Sequence, residues 1–281
     1  MILRSILYRK SVDTVITVLS TLSSCIGIVF LSWILWEVIH RGSSSLNFNF
    51  FTNLPTPPGI VGGGLANAIV GTLIITFLAT ILGIPIGILG GIYLAEFGKS
   101  NVFGKAVRFT LNVIMGIPSI IIGLFVYTFL VLPMGHFSGY AGAVALSIII
   151  LPVVARTTED MLALVPNSLR ESALAVGAPQ WRVTLGVVFR AAKSGITTGI
   201  LLAVARVSGE TAPLLFTSLN SPYWPQSINQ PTANLTVSIF NYAMSPFANW
   251  QKMAWGASLI IMIGVLTMTI AARTTFKEGK K

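Results

Sequence analysis

Charged residues, cysteine and histidine are all scarce in this chain. Lysine, arginine, aspartate and glutamate make up only 9% of its 281 residues, whereas 54% are hydrophobic. So few charges cannot coat a soluble globule of this size, which excludes a soluble single domain. The single cysteine, Cys25, excludes an intrachain disulfide framework and a cysteine-based metal cage.

The motifs of several enzyme classes are also absent. His40 and His136 belong to no H-E-x-x-H pattern and no G-x-S-x-G occurs, so neither a zinc protease nor a serine hydrolase is indicated. Residues 98–100 (GKS) resemble the end of a phosphate-binding loop, but Tyr93 stands where its first glycine is required. Without a nucleotide motif, the chain is not expected to hydrolyse ATP itself.

Long apolar stretches dominate the sequence. A membrane-spanning helix needs about 20 mainly apolar residues, and six stretches qualify: 12–39, 67–95, 107–132, 139–155, 194–219 and 253–272. Only helices suit these lengths, because a helix satisfies its own backbone hydrogen bonds in lipid. The first stretch is too long for the apolar region of a signal peptide, so we expect it to be retained. The sequence predicts an all-α integral membrane protein with six transmembrane helices in a lipid bilayer.

Small residues recur at every fourth position in two of these stretches. They are Gly83, Gly87 and Gly91 in the second, and Gly195, Gly199 and Ala203 in the fifth. Such faces allow backbones to approach closely, which predicts helix packing there.

The basic residues are distributed asymmetrically. Arg41 and Lys252 alone fall on one side of the membrane, Arg206 lies within a stretch, and every other lysine or arginine falls on the opposite side. Because lysine and arginine accumulate in cytoplasmic loops, both termini are predicted to be cytoplasmic. The same asymmetry explains the net charge of +10, so no nucleic-acid partner is expected.

Arg206 and Glu210 are charged residues near the predicted middle of the fifth stretch. Four residues apart on a helix, they would project from one face and reach each other. They could be a structural ion pair that sets the rotation of the helix. A substrate path is favoured, since ionisable residues inside a membrane commonly mark one. Arginine can bind an oxyanion through two donors, and the carboxylate would weaken that binding enough for release.

Arg156 is a second cationic candidate. It follows Pro152 at the predicted cytoplasmic end of the fourth stretch, where a basic residue is commonly only an orientation signal. The residues alone leave both interpretations open. The neighbouring Glu159 and Asp160 are expected to face water or the loop.

The predicted cytoplasmic loop 156–193 contains the signals of a short helix. Ser168 and Glu171 have the spacing of a capping box, which predicts that a helix starts just after Ser168. Gly177 suits a left-handed C-terminal cap, and Pro179 resists continuation. So short a helix is marginal alone in water and needs a packing partner, which could be the bilayer surface or another protein.

The same loop resembles that of a known family. Glu171, Ala173 and Gly177 match the E-A-A-x-x-x-G pattern of ABC importer permeases, with Ser172 in place of the second alanine. The surrounding runs resemble permease subunits of phosphate ABC importers over about residues 60–272: GIPIGILGGIYLAEF, LPVVARTTEDMLALVPNSLRESALAVGAP, ARVSGETAPLLFTSL and SIFNYAMSPFANW. The resemblance implies the type I importer permease fold, also called MetI-like, with a cytoplasmic coupling helix in this loop.

The resemblance also implies a function and the residues that serve it. It assigns the path of inorganic phosphate to Arg206, Glu210 and Arg156. It assigns coupling to an ATPase to four loop residues, Ser168, Glu171, Ala173 and Gly177. The implied partners are a homologous second permease subunit, a cytoplasmic ATPase dimer and an extracytoplasmic phosphate-binding protein. ATP and Mg would be used by the ATPase, and this chain would bind no cofactor and no metal.

The predicted organisation has three parts: an N-terminal helix with an outer loop at 1–66, a permease core at 67–272, and a basic cytoplasmic tail at 273–281. Two other functions stay open. A secondary anion carrier would use Arg206 and Glu210 as a proton-linked gate and need no ATPase. An assembly or regulatory subunit would make the pair structural.

Overall fold

The fold is helical wherever the chain is described. The structure is a computed structural model that describes residues 6–60 and 62–275, and that part contains no strand. The longer helices are Ile6–Ser43, Ala66–Ile92, Val102–Gly116, Gly139–Ala163, Phe189–Val207 and Ala248–Thr275. Shorter helices are Phe48–Thr52, Ser119–Val126, Leu132–Met134, Asn167–Ala175, Gln180–Arg182, Ala212–Leu215 and Leu235–Ala243, and π-helical turns occupy Tyr93–Phe97, Tyr127–Val131 and Val183–Val188.

Six crossings can be assigned by length and composition. Five are continuous helices, numbered here as spans one, two, four, five and six: Tyr8–Ser43, Ala66–Phe97, Gly139–Ala163, Gln180–Val207 and Ala248–Thr274. Span three is a pair of helices, Val102–Gly116 and Ser119–Met134, that is bent by 103° at the break between them. The bend falls where Pro118 restricts Ile117 to an extended conformation. The prediction of six crossings holds with this one interrupted span.

Three predicted boundaries, in spans four and five, are wrong. Span four continues to Ala163 instead of ending at 155, and span five runs from Gln180 to Val207 instead of from 194 to 219. An apolar run shows where lipid ends, whereas good helix formers extend the helix beyond it. Much of the predicted loop 156–193 is therefore helix. Four basic residues that were predicted to be cytoplasmic lie outside the described residues: Arg4, Lys277, Lys280 and Lys281.

Spans two and four pack against each other in the centre of the fold. A Cβ atom at Gly87 would lie 2.9 Å from the carbonyl oxygen of Leu151. Span five approaches span four in the same way, because a Cβ atom at Gly199 would collide with the side chain of Thr157. The predicted small-residue faces are confirmed as helix contacts at these positions.

Residues 40–66 and 220–252, which the distribution of basic residues predicts to be outer loops, pack against each other. Trp250 donates from Nε1 to the carbonyl oxygen of Thr56 at 3.3 Å, and Asn249 donates to that of Ile60 at 2.8 Å. The Tyr242 ring stacks on Trp250 at 4.3 Å, and burial raises the pKa of Tyr242 to about 12, so its hydroxyl stays protonated. These loops form one packed cap over the ends of spans two and six.

Span one is the least embedded crossing. No residue in the most apolar part of its helix is buried within the described chain. At its C-terminal end, Arg41 lies over the Trp255 ring of span six at 5.2 Å. Apolar surface of this extent requires lipid or another subunit to cover it.

Candidate functional site

A cavity of about 250 Å³ lies where spans three, four and five are irregular. Its wall includes Pro118 at the bend of span three and Pro152 within span four. Arg206 and Glu210 contribute charged groups, and Ser119 contributes a hydroxyl. Interrupted helices free backbone polar groups, which a membrane tolerates only inside protein or around a hydrated cavity. We therefore take this cavity as the candidate functional site.

A larger cavity of about 680 Å³ lies among the outer loops. Prolines, aromatic rings and uncharged amides form its wall, and none of its described lining residues is charged. Recognition of an oxyanion normally uses a cationic donor, so size alone does not make this cavity the site. Among the described residues, no three His, Cys, Asp or Glu side chains are close enough together to hold a metal ion.

Arg206 and Glu210 line the smaller cavity, but their backbone differs from the prediction. The helix of span five ends at Val207, so the two residues do not share one helical face near its middle. The amides of Gly209 and Glu210 instead form turn hydrogen bonds with the carbonyl oxygens of Arg206 and Val207, at 3.2 and 3.0 Å. The helix ends here because glycine disfavours it and Pro213 has no amide to donate.

No ion pair joins Arg206 to Glu210 within the part of the chain that the structure describes. Arg206 is exposed and Glu210 is half-buried. The carbonyl oxygen of Glu210 accepts a hydrogen bond from Thr236 Oγ1 at 2.9 Å. The structural ion pair is therefore not formed, and the guanidinium can meet an anion in the cavity.

Arg156 lies on span four, one helical turn beyond Pro152. Its Nε donates to Asp160 Oδ2 at 3.2 Å, and its Nη1 lies 3.8 Å from Glu159 Oε2. The expectation that Glu159 faces water is wrong, since its side chain is 12% exposed and accepts from Arg108 Nε at 2.6 Å. The helix continues past residue 155, which turns Glu159 toward span three. Asp160 is half exposed, as expected.

The loop helix, Asn167–Ala175, begins earlier than predicted. Its N-cap residue is Pro166, which makes no side-chain cap bond. Ser168 lies inside the first turn, where its carbonyl oxygen accepts from Ser172 Oγ at 2.8 Å. The predicted capping box of Ser168 and Glu171 is wrong, because the fixed φ of Pro166 already starts the helix.

The loop helix ends as predicted, with Gly177 in the left-handed region at a φ of +81°. One side packs against the protein, where Ala173 joins an apolar cluster with Val183 of span five. The opposite side leaves Glu171 and Leu174 exposed. The loop helix therefore has a packing partner in its own chain, where the sequence predicted the bilayer surface or another protein.

Two little-exposed ion pairs near the loop helix escaped sequence reasoning, which took both arginines as orientation signals. Arg170 of the loop helix binds Glu96 at the end of span two, with Nη2 2.8 Å from Oε1. Arg108 of span three binds Glu159 of span four. A signal was available for the first pair: Glu96 is an isolated acidic residue in an apolar run, and such a residue needs a partner when it is buried.

Comparison with known proteins defines the class. Residues 87–277 match the family described as binding-protein-dependent transport system inner membrane component. A chain of a bacterial alginate ABC transporter aligns at a TM-score of 0.68 and 16% identity, covering 99% of both chains. A chain of the MetNI methionine ABC transporter aligns at 0.62 and 19% identity, covering 77% of this chain and 96% of that one. The chain belongs to the inner-membrane permease subunits of ABC importers.

The sequence relatives define the family of this chain more narrowly than the shared fold does. The phosphate transport system permease protein PstA of Yersinia pestis is 47% identical over 97% of this chain and 92% of that protein. PstA of Haemophilus influenzae is 47% identical over 97% and 96%, and the probable PstA of Methanocaldococcus jannaschii is 42% identical over 78% of each chain. The resemblance to permease subunits of phosphate ABC importers is confirmed. The chain is a multi-pass membrane subunit of a transporter with partner subunits.

Proposed function

We propose that this chain forms half of the path by which an ATP-driven importer brings inorganic phosphate into the cell. The observation that carries the proposal is the placement of Arg206 and Glu210 in one cavity between interrupted helices. The names of the sequence relatives support phosphate as the transported ion. Membership of an importer family favours this function over a secondary carrier.

Arg206 suits phosphate for geometric reasons. A guanidinium presents paired N–H donors that bind two oxygens of a phosphate at once. Glu210 lines the same cavity and repels the anion, which keeps binding weak. Weak binding is required because a transported ion must also leave.

Arg156 extends the proposed path beyond the cavity. It lies one turn past Pro152, a residue of the cavity wall. Its partner Asp160 is 50% exposed, and an exposed pair of this kind contributes only about 0–1 kcal/mol. An anion that reaches Arg156 can therefore replace Asp160 at little cost.

We further propose the arrangement of the whole transporter. A homologous second permease subunit completes the path, and an extracytoplasmic phosphate-binding protein delivers the ion. Both termini of this chain and the loop helix face the cytoplasm. A cytoplasmic ATPase dimer, which uses ATP and Mg, contacts the exposed residues Ser168 and Glu171, while Ala173 holds the helix against its own chain and Gly177 shapes its end. This chain binds no cofactor itself.

Uptake of labelled phosphate into vesicles tests the proposal. Vesicles that contain this chain, its proposed partners and ATP are expected to take up phosphate. Arg206→Ala should reduce uptake about tenfold or more, since hydrogen bonds to a charged group contribute about 1.5–3 kcal/mol. Arg273→Ala, which changes an exposed arginine near the end of span six, is the matched control and should keep wild-type uptake.

Two results would contradict the proposal. Undiminished uptake by Arg206→Ala would remove Arg206 from the path. Uptake by this chain alone, driven by a proton or sodium gradient, would establish the secondary carrier instead.

A further inference from the structure

Two ion pairs converge on the π-helical turn Tyr93–Phe97 at the end of span two. Arg170 of the loop helix donates to the carboxylate of Glu96 in this turn. Arg108 of span three donates to the backbone carbonyl oxygen of Leu94 in the same turn. The turn therefore lies between the loop helix and the spans that line the cavity.

The guanidinium of Arg170 is almost entirely engaged inside the protein. Its Nη2 lies 2.8 Å from Glu96 Oε1 and 2.7 Å from the carbonyl oxygen of Leu162, and its Nη1 donates to that of Val165. The side chains of Arg170 and Glu96 are 11% and 7% exposed. Salt screens so buried a pair only weakly, and removing one partner leaves an uncompensated buried charge.

Arg108 of span three contacts the same turn and the residue that follows it. It donates to the carbonyl oxygens of Leu94 at 2.8 Å and Gly98 at 3.0 Å, and to Glu159 Oε1 at 2.6 Å. The end of a helix leaves carbonyl groups without partners in the helix, and Arg108 supplies their donors. Together the two arginines connect the loop helix to spans two, three and four.

This network ends at the proposed substrate path. Glu159 Oε2 is buried without a hydrogen-bond partner and lies 3.8 Å from Arg156 Nη1. Arg156 instead donates to the exposed Asp160. A small shift of span four relative to Arg108 would therefore change which carboxylate binds Arg156.

We propose that Arg170 and Glu96 are positioning residues that transmit movement of the loop helix to the spans and, through Arg108 and Glu159, to Arg156. This inference rests on the proposed function, because it takes the loop helix as the contact with the ATPase. The loop helix already packs against span five through Ala173, and the pair of Arg170 with Glu96 adds a connection to span two. The π-helical turn suits the role, since such turns are frequent at functional sites.

Variants of the assembled transporter test the transmission. Glu96→Gln keeps the shape of the side chain and removes its charge. It is expected to lower the phosphate taken up per ATP hydrolysed about tenfold, within the range reported for residues that carry coupling. ATP hydrolysis itself should continue, because the proposed ATPase contact is not altered.

Two comparisons keep this test specific. Arg170→Lys retains the charge and should keep more of the uptake ratio than Arg170→Met. Glu37→Gln breaks the more exposed pair with Arg41 on span one and should leave the ratio unchanged. An unchanged ratio in Glu96→Gln would overturn the proposal, as would proportional loss of uptake and hydrolysis through loss of assembled complex.

A second measurement is independent of the transported ion. Spin labels are attached at Ser172→Cys on the loop helix and at Lys99→Cys beside the π-helical turn, in a Cys25→Ser background. They report the distance between the loop helix and the end of span two, which the Arg170–Glu96 pair connects. We expect one narrow distance distribution with and without ATP, and a broader one after Glu96→Gln. Distance distributions of equal width with and without Glu96→Gln would overturn the proposed connection through Arg170 and Glu96. If the transporter moves no phosphate but Glu96→Gln still broadens the distribution, phosphate is the wrong substrate and the connection through Arg170 and Glu96 stands.

Discussion

At the scale of single residues, the cost of unpaired charge explains the candidate site. Arg206 stands in the last turn of span five and Glu210 follows in the turn beyond it. A guanidinium inside a membrane is stable only with water, an anion or a carboxylate around it. Arg206 has no carboxylate partner among the described residues, whereas the buried Arg170 has one in Glu96. This difference is the reason that Arg206, and not Arg170, is proposed for the substrate path.

Arg206→Lys should impair transport less than Arg206→Ala. Lysine keeps the positive charge but loses the planar pair of donors that binds two phosphate oxygens. We expect the phosphate concentration for half-maximal uptake to rise about tenfold, the equivalent of one lost charged hydrogen bond. Rates of uptake measured over a range of phosphate concentrations check this. Equal behaviour of the lysine and alanine variants would show that charge at this position is not used.

Gly177→Val should disturb the end of the loop helix through the backbone. Nothing lies within 4 Å of a Cβ atom there, so space is not limiting, but the φ of +81° disfavours other residues by about 1–2 kcal/mol. We expect lower uptake per ATP hydrolysed, with the subunit still in the membrane. Gly177→Asn is the matched control, because asparagine tolerates this conformation. Equal uptake ratios in both variants would exclude a role for the left-handed cap.

At the scale of helices, close approach of small residues decides which spans touch. Span two meets span four along Gly83, Gly87 and Gly91, and all three glycines are buried. Span four carries Pro152 inside its helix, on the wall of the cavity. The packing of these two helices therefore sets the position of one wall of the site.

Gly91→Ala should destabilise the contact between spans two and four. The added Cβ atom would lie 2.5 Å from the carbonyl oxygen of Ala155, and overpacking of this kind costs about 1–3 kcal/mol. The adjacent Gly90→Ala is a close control, because its Cβ atom would lie 3.9 Å from that of Ala155. Thermal unfolding of the purified subunit should show a lower midpoint for Gly91→Ala alone. The same midpoint for both variants would contradict the packing argument.

At the scale of the whole molecule, the exposed apolar surface of span one indicates a membrane protein that is completed by lipid and other subunits. The asymmetry of basic residues predicts its orientation, with both termini in the cytoplasm. The loop helix and the packed outer loops must lie on opposite sides of the membrane for the proposed importer to work.

Cysteine labelling in intact cells tests this orientation. In a Cys25→Ser background, a membrane-impermeant thiol reagent should label Asn229→Cys in the outer loop and leave Ser172→Cys in the loop helix unlabelled. Both positions are exposed, so both should react after the cells are lysed. Labelling of Ser172→Cys from outside would reverse the assigned topology.

The sequence by itself determined the class of protein, the number of crossings, the contacts of small residues and the left-handed cap at Gly177. Each of these depends on composition or on residues close together in the chain, where periodicity and turn chemistry carry the information. Arg206 and Glu210 could be recognised as candidate site residues from the sequence, because a charged residue inside an apolar run is visible without a structure.

The tertiary structure decided where helices end and which charges meet. The 103° bend of span three and the end of span five at Val207 place Arg206 and Glu210 at a cavity and not along one helical face. Arg170 and Glu96 lie 74 residues apart in sequence, and Arg108 and Glu159 lie 51 apart. No local pattern specifies such pairs, because they form only when packing brings distant helices together and removes water from their charges.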